Sequence, residues 1–301
     1  MSAPRILLLG STGQVGWELQ RSLAPLGELI ALDWQSDPPA DFSKPQAIQG
    51  LLTDLTPDVI VNAAAHTAVD RAESEPDIAR LLNATSVGVL ARYAAGAGAW
   101  LLHYSTDYVF DGEGCQPRNE DAPTGPLNVY GQTKLEGEDL IRASACRHLI
   151  LRTSWVYAAR GGNFAKTMLK LAAERAHLTV IDDQIGAPTG ADLLADVSAH
   201  VLKHVTSSAD GVQLAGTYHA VAAGETSWHG YASQVVDFAL RHGLPVSAER
   251  VDPVPTSAFP TPARRPLNSR LDTSKLQQAF GLVLPPWQQG VDRLLHEVTS
   301  T

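Results

Sequence analysis

The apolar run Ile6-Leu7-Leu8-Leu9 ends directly on Gly10-Ser-Thr-Gly13-Gln-Val-Gly16, and an amphipathic stretch opens inside that turn. Four apolar residues without polar alternation describe a strand covered on both faces, which leaves few architectures open. The pattern then recurs. Short apolar runs at 6–9, 28–32, 59–62, 100–105 and 148–153 alternate with helical stretches at 15–24, 45–55, 78–97 and 130–144. Such alternation predicts an α/β fold, a Rossmann-like doubly wound parallel sheet with right-handed crossovers. After residue 153 the texture changes. Helices are expected at 163–176, 193–204, 228–242 and 287–298, and the five prolines between 253 and 266 read as an irregular extended segment. The expected plan is one domain over 1–153 and a smaller α/β region over 154–301, with return segments to the first.

Composition narrows the classes further. At 301 residues, 44% of them hydrophobic and 18% charged, the chain has room for a sizeable core in one large domain or two ordinary ones. Lys and Arg number 23 against 32 Asp and Glu, a formal charge of −9. A surface this acidic argues against nucleic acid and anionic membrane as partners. Cys115 and Cys146 are too few for a disulfide scaffold and lack zinc-ligand spacing. The opening MSAPRILLLG is too short for a signal-peptide core, and no stretch approaches the ~20 apolar residues of a membrane span. A cytoplasmic protein is expected.

Glycines at 10, 13 and 16 permit a tight turn and bring backbone N–H groups to a pyrophosphate at a helix N-terminus. The spacing is GxxGxxG, and its place directly after the first strand points to dinucleotide binding. Asp33 closes the second strand, where a carboxylate accepts the adenosine ribose hydroxyls. No arginine follows it closely to hold a 2′-phosphate, which leans toward NADH and leaves NADPH open. A solvated turn carboxylate before Ser36 and Pro38 is the other reading of Asp33. Asn62-Ala-Ala-Ala65-His66-Thr67 ends a buried strand at the same carboxyl edge, with small residues that let a cofactor lie along the backbone.

Tyr130 and Lys134 stand four apart on a predicted helix and so share a face, while Ser105-Thr106 ends another strand at the same edge. A phenol ionises near pH ~10. A neighbouring ammonium and a nicotinamide cation lower that value and make the phenol a usable proton donor, with Thr106 placed to hold a substrate oxygen. These residues describe hydride transfer coupled to proton transfer.

GSTGQVG, Asp33, STDYVFDG at 105–112 and Tyr130-Gly-Gln-Thr-Lys134 resemble the extended short-chain dehydrogenase/reductases. Within them, VNAAAHTAVDRAE, PLNVYGQTKLEGE, LRTSWVYA, DDQIGAPTGADLLAD and PTPARRPLNSRL are similar to the dTDP-4-dehydrorhamnose reductase family. The resemblance spans nearly the whole chain. It implies NAD(P)H-dependent reduction of the C4 ketone of dTDP-4-dehydro-L-rhamnose, the last step of dTDP-L-rhamnose synthesis for cell-surface polysaccharide such as O-antigen. It further implies that Tyr130 protonates the alkoxide, Lys134 holds the nicotinamide ribose and Thr106 hydrogen-bonds the ketone. For the cofactor it implies Gly10, Gly13, Gln14, Val15 and Gly16 at the pyrophosphate and Asp33 at the ribose. Asp41 and Phe42 would flank the adenine, Ala65, His66 and Thr67 the middle, and Tyr104 the nicotinamide. Thr106, Asp107 and Trp155 match sugar-contacting positions.

Some matches leave a choice. Trp155 can stack on an apolar sugar face or serve as a core aromatic in RTSWVY. Arg264 and Arg265 can fork onto a diphosphate or make a surface ion pair. Some members of the family bind Mg2+ through carboxylates near a homodimer interface. The matching positions are Glu18, Asp192 and Glu297, with Asp192 where the longer Glu is expected.

Three other functions use the same frame. A sugar-nucleotide 4-epimerase shares the Tyr/Lys pair, as does a 4,6-dehydratase, but the dehydratases carry Thr-Asp-Glu where Tyr108 follows Asp107 here. A non-catalytic subunit, like the β subunit of eukaryotic methionine adenosyltransferase, shares the cofactor pocket but need not keep a proton donor. Thr106, Tyr130, Lys134 and Trp155 together favour the enzyme.

Overall fold

Leu7 and Leu9 face one side of the first strand and Ile6 and Leu8 the other, and each pair is buried in a separate core. That is why the run shows no polar alternation. The computed structural model describes residues 3–300; Met1, Ser2 and Thr301, at the outer ends of the two expected spans, lie outside the described residues. The first half runs β1 (Arg5–Leu9), α1 (Gln14–Leu23), β2 (Glu28–Leu32), α2 (Pro45–Leu55) and β3 (Val59–Asn62). It continues through α3 (Val69–Ser74), α4 (Pro76–Arg80), α5 (Ser86–Ala97), β4 (Trp100–Thr106), α6 (Val129–Ala143) and β5 (Arg147–Thr153). The second half begins with β6 (Val156–Tyr157), α7 (Phe164–Glu174), β7 (His177–Ile181), β8 (Ile185–Gly186) and β9 (Thr189–Gly190). It ends with α8 (Ala191–Ser207), β10 (Gly216–His219), β11 (Thr226–Ser227), α9 (Trp228–Arg241), β12 (Arg250–Val254), α10 (Ser274–Phe280) and α11 (Trp287–Thr299).

The main sheet is parallel and has six strands in the order β10-β5-β4-β3-β1-β2. Helices α2, α5 and α6 cover one face. On the other, Leu19 of α1 packs with Leu194, Val201 and Val205 of α8 and Phe280 of α10. The later chain therefore returns to the first sheet with one strand and two helices. A separate core gathers Tyr157, Tyr231, Phe238, Trp287, Val291 and Leu295 between α7, α9 and α11. No helix among the described residues is long and apolar enough to cross a membrane, and both cysteines are free.

Two expectations need correction. The single helix at 78–97 is instead α4, a π-helical turn at Leu81–Thr85 and α5. The wide turn carries Asn83, whose buried amide accepts the His66 N–H at 2.8 Å and donates to Thr133 Oγ1 at 3.1 Å. An inserted π-turn is a common way to aim one polar side chain out of a helix. The proline-rich segment also begins as a strand, since β12 includes Pro253 and pairs in parallel with β7. That sheet has only two strands, so Pro253 lies on an edge where a missing N–H costs nothing.

Candidate active site

β1 lies between β3 and β2, so the chain leaves it in opposite directions and a crevice opens at the carboxyl ends of β1 and β3. A cavity of about 310 Å³ occupies this place. Gly10, Gly13, Asp33, Asp41, Phe42 and Ala65 line it, joined by Thr12, Trp34 and Leu82. Gly10 has φ 81°, and a Cβ there would stand 2.6 Å from the Ala64 nitrogen. A Cβ on Gly16 would stand 2.0 Å from the Gly10 carbonyl oxygen. Backbone is therefore packed on backbone here, with no room for a side chain at Gly10 or Gly16, at the N-terminus of α1.

Asp33 is buried, not a solvated turn carboxylate. Its Oδ1 accepts the Gln35 N–H at 2.7 Å and the Ser36 hydroxyl at 3.3 Å. Burial raises its pKa, but bonds from Gln35, Thr12 and Ser36 outweigh that and hold it below the usual carboxylate range. Lys44 is paired with Asp41 at 3.0 Å. Gln14 turns away from the cavity, its Nε2 donating to the Gly162 carbonyl at 3.1 Å, and Val15 packs against the α8 side of the sheet. His66 is held by Asn83 through both its N–H and its carbonyl, which fixes the loop that carries Ala65 and Thr67.

The second constellation forms where β4 ends beside the start of α6. Asn128 caps α6 by accepting the Gly131 N–H at 2.8 Å, and this starts the helix so that Tyr130 and Lys134 share its inner face. Lys134 is buried; its Nζ donates to the Tyr104 carbonyl at 2.6 Å and lies 3.1 Å from His103 Nε2. Burial brings its ammonium down to about 8, against the pull of Glu138. Burial also pushes the Tyr130 phenol up to about 12, with the Thr106 side chain lowering it and the Asp107 charge raising it. Thr106 Oγ1 donates to Asp107 Oδ1 at 3.0 Å. The Asp107 carboxyl is itself pushed up to about 7 by burial, with Ser269 and Thr106 offsetting part of the rise. The Tyr104 hydroxyl is committed to Ser198 of α8 at 2.5 Å, so Tyr104 offers this edge its carbonyl rather than its phenol.

Trp155 follows β5, whose Thr153 pairs in register with Thr106. It adopts φ 47°, which turns the indole onto Trp228 with ring centroids 3.8 Å apart and planes 15° from parallel. It stays partly exposed, so one face is packed and the side chain is still accessible.

The RmlD substrate binding domain family model matches residues 4–300. The dTDP-4-dehydrorhamnose reductase of Escherichia coli K12 is 57% identical over 297 residues, covering 98% of each chain. The dTDP-4-dehydrorhamnose reductase structure from Clostridium acetobutylicum superposes with a TM-score of 0.88 at 34% identity, covering 98% of this chain and 99% of that one. The chain belongs to the dTDP-4-dehydrorhamnose reductase family. The Bacillus anthracis dTDP-4-dehydrorhamnose reductase, solved in complex with NADP, has a TM-score of 0.87 at 33% identity and covers 99% of this chain and 100% of that one. The chain is thus an enzyme of the extended short-chain dehydrogenase/reductase class.

Several residues of this reductase site escaped the sequence reading. Glu138, one turn beyond Lys134, accepts from Arg152 Nε at 2.9 Å and Nη2 at 2.7 Å, and from Arg142 Nη1 at 2.9 Å. Burial opposes its ionisation, yet Arg152 and Arg142 keep its carboxyl below the usual range. This pair bolts α6 to β5. His103 and Asn83 were visible only as lone polar residues in the apolar runs WLLHYST and RLLNATS. Arg265 is ion-paired with Asp70 at 2.7 Å, while the Arg264 carbonyl accepts from Asn128 at 2.8 Å. The late proline-rich segment is therefore tied to the cap of α6.

The carboxylates matched to a reductase magnesium site do converge. Glu18, Asp192 and Glu297 line a cavity of about 220 Å³, but Arg21 and Arg293 line it too. Arg293 Nη1 binds Asp192 Oδ2 at 3.0 Å, and Arg21 lies 3.9 Å from Glu18. No group of three or more ligating side chains among the described residues is arranged to hold a metal ion. Guanidinium groups, always charged, already stand against two of these carboxylates, Asp192 and Glu18, so the arrangement gives the expectation of Mg2+ no support.

Proposed function

We propose that the chain reduces the C4 ketone of dTDP-4-dehydro-L-rhamnose to dTDP-L-rhamnose, with NADH or NADPH as reductant. The observation that carries this reading is the Tyr130–Lys134 pair at the N-terminus of α6, with Lys134 anchored on the Tyr104 carbonyl and Tyr130 beside Thr106. Reduced nicotinamide, when bound, supplies the hydride for C4. Thr106 holds the ketone oxygen and orients it toward Tyr130. Because burial keeps the phenol protonated at neutral pH, Tyr130 stands in the form that can donate to the developing alkoxide. Lys134 steadies the phenolate that results and holds ribose hydroxyls.

In this reading the bare backbone of Gly10, Gly13, Gln14, Val15 and Gly16 holds the pyrophosphate, and Asp33 takes the ribose hydroxyls. Asp41 and Phe42 flank the adenine; Ala65, His66, Thr67 and Tyr104 follow the cofactor to the nicotinamide. Asp107 and Trp155 contact the sugar. Residues 1–153 with the returning β10 form the cofactor-binding domain, and most of 154–301 forms the substrate-binding region. Asp33 is buried and ionised, and Lys44 is already engaged by Asp41, which supports a preference for NADH. The test is the loss of reduced-nicotinamide absorbance with purified protein and dTDP-4-dehydro-L-rhamnose. Stoichiometric oxidation with dTDP-L-rhamnose as product is expected. Cofactor binding without oxidation would overturn the proposal.

A further inference from the structure

Behind Lys134 runs a chain of buried polar groups that the reaction itself does not use. His103 on β4 and Asn62 on β3 are both buried, with Asn62 Nδ2 2.9 Å from His103 Nδ1 and His103 Nε2 3.1 Å from Lys134 Nζ. The amide of Asn62 has only one orientation that satisfies its surroundings, because the Ala64 N–H donates to Asn62 Oδ1 at 3.1 Å. Nδ2 is therefore the atom that faces the imidazole, and it donates to Nδ1. Burial and the nearby Lys134 charge hold His103 neutral, so it carries one proton. With Nδ1 accepting, that proton sits on Nε2 and points at Lys134 Nζ. An ammonium offers it no lone pair; an amine does.

We propose that His103 is a positioning residue whose tautomer, locked through Asn62 to the Ala64 N–H, governs whether Lys134 is an amine or an ammonium. Lys134 can hold its third proton comfortably only if His103 moves its own from Nε2 to Nδ1 and Asn62 turns its amide, giving up the Ala64 N–H. The ammonium with an Nδ1–H imidazole holds one proton more than the amine with an Nε2–H imidazole, and solvent supplies it. Ala64 lines the cavity in the crevice, so the charge at Lys134 is linked to a backbone donor on the cavity wall. The other charged or titratable groups about Lys134 are Tyr130 and Glu138 on its own helix, Arg152 from β5, which is spent on Glu138, and Asp107 beyond β4. Apart from His103, none of these accepts from or donates to Lys134 Nζ in the hydrogen bonds of the described residues.

The inference rests on Lys134 serving the proposed reduction, but its test reads protons directly and does not need turnover. In 15N-histidine-labelled protein, long-range 15N–1H correlation separates the two tautomers of His103, with His103→Gln identifying the signal. The expected result is Nδ1–H at low pH and Nε2–H at high pH, with one midpoint between them. Asn62→Asp gives the Ala64 N–H and an Nδ1–H each a carboxylate oxygen, so that midpoint should rise by about one pH unit or more. It also identifies the His103 signal should His103→Gln fail to fold. A single tautomer at every pH, or a midpoint that Asn62→Asp leaves unmoved, would overturn the proposal, whether or not the chain reduces the sugar.

Discussion

At Gly10 and Gly16 neighbouring backbone already stands where a Cβ would go, whereas Tyr130, Lys134 and His103 carry polar atoms into their own edge of the crevice. The β1–β3 edge of the crevice is thus a backbone surface, with Asp33 as its one buried carboxylate. The β4–α6 edge is a set of ionisable groups whose charge depends on burial and on one another. The comparison teaches that the first edge is damaged by adding atoms and the second by changing protons. Binding and chemistry should therefore separate under mutation.

The largest effect is expected at the second edge. Tyr130→Phe removes the proton donor and should lower kcat by about 10²–10⁴-fold, the usual worth of a positioned general acid. The dissociation constant for NADH, followed by fluorescence titration, should stay within about twofold, because the phenol acts on the transition state. A matching loss of cofactor affinity would erase the contrast between the edges. Gly16→Ala comes next and should act in the opposite way. Its Cβ would press on the Gly10 carbonyl oxygen at 2.0 Å, and overpacking of this kind costs about 1–3 kcal/mol. A lower urea midpoint and weaker NADH binding are expected, with kcat at saturating cofactor far closer to normal than in Tyr130→Phe. The smallest and most selective effect belongs to Asp33→Ala. Loss of a charged acceptor is worth about 1.5–3 kcal/mol, so NADH affinity should fall roughly tenfold or more while NADPH falls less. Equal losses for the two cofactors would remove Asp33 from the choice between them.

The first edge was the more legible in the sequence. Its glycines, Asp33 and the alanine run lie next to the strands that place them, and the strands at Arg5–Leu9, Glu28–Leu32 and Val59–Asn62 form within a residue of where the apolar runs predict. Pro45–Leu55 and Val129–Ala143 were equally readable, the one starting on a proline and the other behind the Asn128 cap. The helix expected at 78–97 was not, since periodicity does not register an extra residue in a turn, and Asn83 is drawn inward by His66 and Thr133 from other elements. β10 joins the main sheet beside β5, from more than sixty residues later in the chain, and short Gly216–His219 carries no sign of it. The carboxylates at 18, 192 and 297 show the same limit from the other side, for their positions match a metal site while Arg293 changes what they can bind.

By itself the sequence determined the parallel α/β class, the dinucleotide cradle and the one-turn spacing of Tyr130 and Lys134, because each is written in local spacing along one strand, turn or helix. Only the tertiary structure decided that Arg21 and Arg293 line one cavity with the three carboxylates, that the proline-rich segment ties to the cap of α6, and that Lys134 rests on the Tyr104 carbonyl against His103 and Asn62. Those are matters of burial and hydrogen-bond partnership between residues far apart in the chain, and a group's charge is set by the partners and solvent around it rather than by its neighbours in sequence.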